Sequence, residues 1–377
     1  MYLLSAPHEK FKILPPNTPL ITESVKFTQN VAYCNSFYWW RIHIQQGCVD
    51  ITPKHFKKLR KQRQLKQIIV MADGGVGDII WNLPFIYNLK KTNPTAVIGV
   101  ITSVKHSSIF KNIDYVSFIA SNNIWNVQGM LNRADEIYDF GGVATVEKKY
   151  KDWDPVDATF DWTDTKPPKD KTEMIPKLSL TVDEGKQTTA FLKSKGIDID
   201  KQKLISICTH SSTPNRDYPL EYIKAISMSL QKQGNSVLWL GTNKFHRDSE
   251  ILKWCKENNI INLVDETSLR EAFCMIALSD LFIGPNSGLM VAACSLGTPT
   301  IAIFGAFRAK HRCRYYKKFM ALEGNRACSP CSEHWTECNQ GYPAPCMKQI
   351  LPKLVVEKSK EMIQKYPKEL IEKKPIE

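Results

Sequence analysis

A glycine-rich loop that ends on an acidic residue is the first candidate site in the sequence. Residues 71–84 read MADGGVGDIIWNLP and follow the apolar run 68–70. This order predicts a strand, a tight loop that a ligand can approach closely, and a helix that begins near Asp78. The loop glycines are Gly74, Gly75 and Gly77. Their spacing is not the dinucleotide fingerprint. Because an acid at a helix start also caps free backbone N–H groups, the loop alone favours capping for Asp78.

A hydroxyl-rich turn in the second half of the chain suits phosphate. Residues 209–219 read THSSTPNRDYP, and they follow a buried apolar run and precede a helical pattern. The hydroxyls of Ser211 and Ser212 and the guanidinium of Arg216 are groups that bind phosphate oxygens. This turn is therefore a candidate anion site.

A second turn has the same character. Residues 284–289 read GPNSGL and lead from a predicted strand into a helix whose first N–H groups are free to bind an anion. Asn286 and Ser287 also suit simple helix capping. One such turn favours capping, whereas two turns at the ends of successive strands make phosphate binding an equal alternative.

Four cysteines near the C-terminus form a separate cluster. They are Cys328, Cys331, Cys338 and Cys346. Four thiolates this close in sequence can hold a tetrahedral structural metal, zinc or iron. Two disulfides and unligated thiols are the alternatives, and each of the bonded forms would staple a loop-rich segment.

The composition is that of a globular protein with an excess of positive charge. The 377 residues are enough for two domains, and the net charge is +13. Nucleic acid, an anionic membrane surface and a phosphorylated substrate are possible partners of such a charge, but no nucleic-acid-binding signature is present. The basic runs 54–66 and 353–374 have helical spacing and fit either a solvated face or peripheral membrane attachment. Without a signal peptide or a long apolar run, we expect a cytoplasmic protein.

Apolar periodicity predicts an α/β architecture in four segments. We expect a β-rich N-terminal extension (1–60), a first Rossmann-like domain (61–180), a second one (181–350) and a C-terminal helix (351–377) that returns to the first domain. The predicted strands are 68–72, 95–102, 116–119, 137–140, 204–209, 236–241, 260–264, 280–284 and 299–304. The predicted helices are 78–91, with a break at Pro84, 107–112, 126–132, 155–162, 180–196, 219–233, 245–258, 268–278, 286–296 and 352–374. Two facing nucleotide-fold domains would bind a ligand between them.

Several separated motifs resemble one enzyme family. They are GVGDIIWNLPFIYNLKK, ICTHSSTPNRDYPLEYI, GNSVLWLGTNKFHRD and NLVDETSLREAFCMIALSDLFIGPNSGLMVAACSLGTPTIAIFGA, spread over residues 68–350. The chain resembles the heptosyltransferase-like glycosyltransferases of the GT-B fold, which transfer heptose from ADP-heptose in lipopolysaccharide assembly and in some relatives modify proteins. The pattern CSPC…C…CM also occurs in relatives.

The resemblance implies a role for each matching residue. Asp78 would be the general base, which takes the proton of an acceptor hydroxyl as its oxygen attacks the anomeric carbon. The residues implied in binding an ADP-linked donor are Ser211, Ser212, Arg216, Gly241, Asn286, Ser287, Gly288 and Leu289. The implied acceptor loop holds Gly74, Gly75 and Gly77. The acceptor would be a glycan, a lipopolysaccharide or a protein. Helix N-termini and a cation can stabilise the leaving diphosphate, so we expect no catalytic cofactor or metal.

Two positions depart from the family pattern. Asn286 stands where heptosyltransferases commonly have Asp, and Val291 stands where many have His. Asn cannot supply the negative charge and the Val side chain cannot form hydrogen bonds, so the donor sugar or nucleotide is open. The alternative to a transferase is therefore a catalytically inactive nucleotide-sugar-binding or assembly protein of the same fold.

Overall fold

The computed structural model divides the chain into two compact units. The first comprises Met1–Asp73, Leu89–Ser107 and Asp114–Gly141, and the second comprises Gly74–Asn88, Ser108–Ile113 and Gly142–Glu377. The structure describes residues 2–5, 31–34, 49–50, 65–122, 127, 130–131, 133–140, 153–242, 248–331 and 338–368. The domain limits predicted from the sequence remain predictions.

The first unit contains two sheets. Strands β1 (Tyr2–Ser5), β2 (Val31–Cys34) and β3 (Val49–Asp50) form an antiparallel sheet in the order β2-β1-β3, as expected for a β-rich extension. Residues 36–44, SFYWWRIHI, belong to the predicted extension and lie outside the described residues. Strands β4 (Gln67–Met71), β5 (Val97–Thr102), β6 (Phe118–Ser121) and β7 (Glu136–Asp139) form a parallel sheet in the order β6-β5-β4-β7.

Burial explains the pattern of this parallel sheet. The central strands β4 and β5 are buried along nearly their whole length, as their continuous apolar runs predict. The outer strands β6 and β7 alternate between half-buried and exposed residues, which is typical of sheet edges. The four strands were all predicted within three residues of their observed bounds.

The second unit is built on a six-stranded parallel sheet. Its strands are β8 (Leu204–Cys208), β9 (Ser236–Leu240), β10 (Ile261–Asn262), β11 (Leu281–Pro285), β12 (Thr300–Phe304) and β13 (Phe319–Glu323). Their order, β10-β9-β8-β11-β12-β13, is the doubly wound order of dinucleotide-binding folds. The strand order reverses between β8 and β11, and ligands bind such folds where the carboxyl ends of these two strands meet. The two candidate phosphate turns follow these two strands.

The helices agree with most of the sequence predictions. The described α-helices are Val76–Trp81, Leu83–Thr92, Pro155–Trp162, Val182–Ser194, Leu220–Gln231, Ser249–Glu257, Leu269–Leu278, Gly288–Ser295, Pro345–Lys348 and Pro352–Lys365. Short 3-10 turns lie at Val104–Phe110, Lys171–Met174, Pro214–Arg216 and Ala309–His311. The predicted helix 107–112 is therefore wrong in type, since it is a 3-10 turn. The helical residues Val127, Met130 and Leu131 fall within the predicted helix 126–132, and Arg133 follows it directly.

The helix predicted over 78–91 is broken, as its proline requires. One helix ends at Trp81 with Asn82 as its C-cap, and the next begins at Leu83. Pro84 is then the second residue of the new helix, where no intrahelical N–H is needed. The first helix also begins at Val76 and not at Asp78, because Gly75 is its N-cap.

Capping residues fix two helices of the second unit. Thr181 and Glu184 form a capping box at the start of Val182–Ser194, and Ser268 and Glu271 form another at Leu269–Leu278. The Glu184 carboxylate also accepts two hydrogen bonds of 2.8 Å from Arg270. These two helices are therefore joined by a largely buried ion pair.

The C-terminal helix contributes to the core of the second unit. Val355 and Met362 are buried with the apolar residues of β8, β9, β11 and β12, whereas its lysines point to the surface or are half-exposed. The helix ends at Lys365, two residues before Pro367, and so is shorter than the predicted range 352–374, of which residues 369–374 lie outside the described residues. Its return to the first domain remains a prediction. No described helix is long and apolar enough to cross a membrane.

Candidate functional site

The turn after β8 is folded around its own hydroxyls. The Ser211 N–H donates to Asp217 Oδ1 (2.6 Å), and Ser211 Oγ donates to the Thr213 carbonyl (2.7 Å). Ser211 is buried, whereas Ser212 is exposed. The internal bonds of Ser211 shape the turn, which leaves Ser212 as the serine that faces solvent.

Arg216 connects the two candidate turns. Its Nε donates to Thr213 Oγ1 (2.6 Å) and its Nη2 to Ser212 Oγ (2.6 Å). Its Nη1 donates to the backbone carbonyl of Asn286 (3.2 Å), which follows β11. Arg216 thus joins two other predicted donor residues, Ser212 and Asn286, at the switch point of the sheet.

The helix after β11 begins in the same place. Ser287 is its N-cap and accepts a hydrogen bond from the Met290 N–H (3.3 Å), so the capping interpretation of Ser287 is confirmed. Leu289 is half-buried and Asn286 is 4% exposed. The contact between Asn286 and Arg216 uses the Asn286 backbone. The side-chain difference from Asp therefore leaves this contact unchanged.

Two glycines allow this helix to approach the helix that carries Asp78. A Cβ added to Gly288 would lie 2.7 Å from Val76 Cβ, and one added to Gly77 would lie 3.3 Å from Val291 Cγ2. The first distance is too short for a real Cβ atom, and the second is tighter than most real Cβ contacts. Gly77 and Gly288 therefore permit close packing of the two helices, and Val291, which is 1% exposed, fills the same contact.

Asp78 lies at the start of its helix, where it performs the capping role. Its Oδ2 accepts a hydrogen bond from the Gly75 N–H (2.9 Å). Gly74 has a φ of +113°, and a Cβ there would lie 3.1 Å from Asp78 Cβ. Gly74 and Gly75 thus make room for the Asp78 carboxylate itself. The sequence interpretation had assigned that room to a ligand.

The charge of Asp78 is set by opposing effects. Burial of the carboxyl raises its pKa above the ordinary aspartate value. The hydrogen bond from Gly75 and the positive charges of Arg312 and Arg216 act in the opposite direction without cancelling the effect of burial. A carboxyl with a raised pKa beside two cations is a suitable proton acceptor.

Arg312 is a site residue that the sequence analysis missed. It is 2% exposed, and its guanidinium carbon lies 4.8 Å from the centroid of the Phe307 ring and 5.7 Å from that of Trp81. Arg216 lies 5.6 Å from the same Phe307 ring. Burial lowers the pKa of Arg312, and the negative charges of Asp78 and Asp154 oppose this effect. The only signal in the sequence is an arginine shortly after a predicted strand and an aromatic residue.

Gly241 lies at the carboxyl end of β9, beside the turn after β8. Its φ is +142°, and a Cβ there would lie 2.7 Å from His210 Cε1. A side chain at this position would displace His210, so the glycine keeps the turn after β8 in place. Its predicted contact with the donor remains a prediction.

The cysteine cluster does not form a metal site in the part of the chain that the structure describes. No group of three or more metal-ligating side chains there is arranged to hold a metal ion, and all the cysteines with described side chains are free thiols. The alternative of two disulfides is therefore not formed among these residues. Burial and then the nearby Cys346, Cys328 and Cys338 raise the pKa of the Cys331 thiol, so the four side chains are neighbours. Residues 332–337 of this segment lie outside the described ranges.

Comparison with known proteins identifies relatives with sugar-transferase names. The chain is 29% identical over 136 residues to lipooligosaccharide heptosyltransferase 2 of Campylobacter jejuni, a match that covers 35% of this chain and 42% of that protein. The chain thus spans less than half the length of this relative.

Solved structures share the fold. The E. coli ADP-heptose lipopolysaccharide heptosyltransferase II matches with a TM-score of 0.61 and 17% identity, covering 79% of this chain and 99% of that one. An iron-containing dodecameric glycosyltransferase, TibC from enterotoxigenic E. coli, matches with a TM-score of 0.59 and 12% identity, covering 80% and 78%. These matches confirm a GT-B-like α/β fold with parallel sheets.

The family is identified by its sequence model. The model described as glycosyltransferase family 9 (heptosyltransferase) matches residues 147–340, which is more than half of the 377-residue chain. The matched range includes both candidate turns, Arg216 and Arg312. The chain therefore belongs to glycosyltransferase family 9.

Proposed function

We propose that this chain transfers a sugar, heptose or a related one, from an ADP-linked donor to a hydroxyl of a glycan, lipopolysaccharide or protein acceptor. One observation carries the proposal: the charges of the buried Arg312 and the half-buried Arg216 act on the Asp78 carboxylate near the switch point of a doubly wound sheet. Such a place suits a reaction in which a base accepts a proton while an anionic group departs.

The donor diphosphate would bind at the two turns. Arg216 offers further N–H groups beyond those it uses on Thr213, Ser212 and Asn286. The first N–H groups of the Gly288–Ser295 helix lie beside it and favour negative charge. These groups would stabilise the charge that develops on the leaving phosphate oxygen, without a catalytic metal.

Asp78 would act on the acceptor. The acceptor oxygen attacks the anomeric carbon, the bond between that carbon and the diphosphate oxygen breaks, and the acceptor proton moves to the Asp78 carboxylate. This displacement inverts the anomeric configuration. Only the ionised carboxylate can accept the proton, so transfer requires a pH above the pKa of Asp78. Because that pKa is raised, the acid limb of the rate profile lies above the range of an ordinary aspartate.

The experiment compares transfer and binding in the wild type and in Asp78→Asn. The variant keeps the size of the side chain and an oxygen that can accept the Gly75 N–H. We expect retained affinity for ADP and a rate loss of about a hundredfold or more, measured by mass spectrometry of the product. An unchanged transfer rate would exclude Asp78 as the base. Binding of ADP-sugars by the wild type without any turnover would instead support the inactive binding protein.

The remaining partners are proposed with their own tests. TibC is described as iron-containing, which motivates metal analysis of this chain although its described cysteines form no site. A structural zinc or iron predicts about one metal ion per purified chain and its loss in Cys331→Ser.

A cytoplasmic location with contact to the inner face of an anionic membrane predicts binding to anionic vesicles that is weakened by salt.

A further inference from the structure

Arg312 is a buried cation whose surroundings do not explain it as a structural residue. Its Nη1 has no hydrogen-bond partner among the described residues, and neither has Nε1 of Trp81, the ring on which it lies. Buried polar groups in native proteins nearly always have partners, and an uncompensated buried charge is strongly unfavourable. A reason is therefore needed for keeping this charge inside the second unit.

The neighbouring carboxylates supply the compensating charge. Asp78 and Asp154 are the acids whose negative charges act on Arg312. Asp154 is already bound, because it accepts hydrogen bonds from the N–H groups of Val156 (3.0 Å) and Arg314 (3.2 Å). The bonds of Asp154 hold the start of the Pro155–Trp162 helix, which gives this carboxylate a structural role.

Of the two carboxylates that act on Arg312, Asp78 is the one without a second hydrogen bond from another element among the described residues, and the one proposed to react. It is half-buried, and its Oδ2 is held by one hydrogen bond from its own loop. The cations that act on it from other elements are Arg312 and Arg216, and Arg312 has the larger effect. Arg312 is also fixed on the Asp78 helix through Trp81, which lies one turn further along that helix.

We propose that Arg312 is a positioning residue for Asp78: a buried cation, fixed between the rings of Trp81 and Phe307, that keeps the Asp78 carboxylate ionised and ready to accept a proton. The inference rests on the proposed role of Asp78 as the base. It assigns different work to the two arginines. Arg216 lies on the hydroxyl-rich turn and suits the donor, whereas Arg312 is buried and its charge acts on the carboxylate of the base.

The pH dependence of kcat at saturating donor and acceptor tests this assignment. In Arg312→Met the positive charge with the larger effect on Asp78 is lost, so the pKa of Asp78 rises and the acid limb moves to higher pH by about one pH unit. At low pH kcat then falls about tenfold, and it recovers as the pH rises above the new pKa. Arg312→Lys keeps the charge, and we expect its acid limb to stay close to that of the wild type.

Arg308→Met is the matched control. Arg308 lies in the same segment, carries the same charge and donates from Nη2 to the Ser329 carbonyl (2.8 Å), but it is not one of the charges that act on Asp78. A loss of kcat in Arg312→Met that is equal at every pH would overturn the proposal, since it would mark a structural role. Weaker ADP binding with an unmoved acid limb would also overturn it, because Arg312 would then act on the donor.

Two further measurements separate the possible failures. If Arg312→Met does not fold, the acid limb of kcat is measured in Arg312→Gln instead, because the glutamine amide keeps hydrogen-bond donors without the charge. If the wild type shows no transfer, the proposed function fails. The Asp78 pKa is then followed by NMR of carboxyl-labelled aspartate, with Asp78→Asn to identify its signal. A pKa that does not rise in the neutral Arg312 variants overturns the role of Arg312 in either case.

Discussion

Replacing Gly288 with alanine tests whether the contact between two helices positions Asp78. A Cβ at Gly288 would lie 2.7 Å from Val76 Cβ and 3.2 Å from the Gly77 nitrogen. Both atoms belong to the start of the helix that carries Asp78, and neither can turn away as the end of a flexible side chain can. We therefore expect the two helices to move apart in Gly288→Ala.

The expected cost follows from two opposing effects. Overpacking of a tight contact costs about 1–3 kcal/mol, and replacing glycine by alanine in a helix returns up to about 1 kcal/mol. The free energy of unfolding should therefore fall by about 1–2 kcal/mol. Gly185 is the control, since it lies within the Val182–Ser194 helix and no described heavy atom lies within 4 Å of an added Cβ. Gly185→Ala should raise the stability by about 0.5–1 kcal/mol.

Urea unfolding followed by tryptophan fluorescence gives the stability, and initial rates of transfer give the activity. A shift of about 1 Å in a catalytic group can cost about a hundredfold in rate. We expect the transfer rate of Gly288→Ala to fall by roughly 10- to 100-fold while the protein remains folded. Wild-type stability and rate in Gly288→Ala would refute this account of the contact, and so would an equal loss in Gly185→Ala.

Three further predictions concern the donor turn and the stability of the second unit. Arg216→Met should weaken ADP binding about tenfold or more by calorimetry, because it removes charge-assisted hydrogen bonds; unchanged affinity would move the donor away from this turn. Glu184→Gln should destabilise the protein by about 2 kcal/mol, because Arg270 loses its charged partner. The hydrogen bond from Arg270 holds the pKa of Glu184 well below its ordinary value. The stability that the pair contributes is therefore present above the unfolded-state pKa and is lost as the pH falls through the folded-state pKa. Loss of this stability near neutral pH would contradict the account. Ser268→Ala should cost about 1 kcal/mol through a lost helix cap, with no change in transfer rate as the check.

The sequence predicted the elements better than the contacts between them. Buried strands such as β5 and β11 are continuous apolar runs, and the Val182–Ser194 helix starts at a recognisable capping box. Strand β13 was missed although it begins with four apolar residues; it lies at the edge of the sheet and only one of its residues is buried. Local sequence patterns are sufficient to predict strands that are completely buried, and they are insufficient to predict strands at the edge of a sheet.

The candidate site was predicted in part, for the same physical reason. Asp78, Arg216 and Ser287 stand in turns whose residue types are informative by themselves. Arg312 stands in a basic segment, where an arginine is ordinarily solvated, and its burial depends on packing against Phe307 and on Trp81 from a distant part of the chain. The loop glycines were recognised as positions of close approach. Their neighbours, a carboxylate and a second helix, were beyond what spacing can identify.

The packing at Gly77 couples two positions that are distant in sequence, 77 and 291. An added Cβ at Gly77 would lie 3.3 Å from Val291 Cγ2, and Val291 is buried, so the valine would have to shift to accept it. Alanine at position 77 is therefore compatible with the fold chiefly when position 291 is smaller, as in Val291→Ala. Substitutions at the two positions should therefore be tested together, because volume added at one has to be removed at the other.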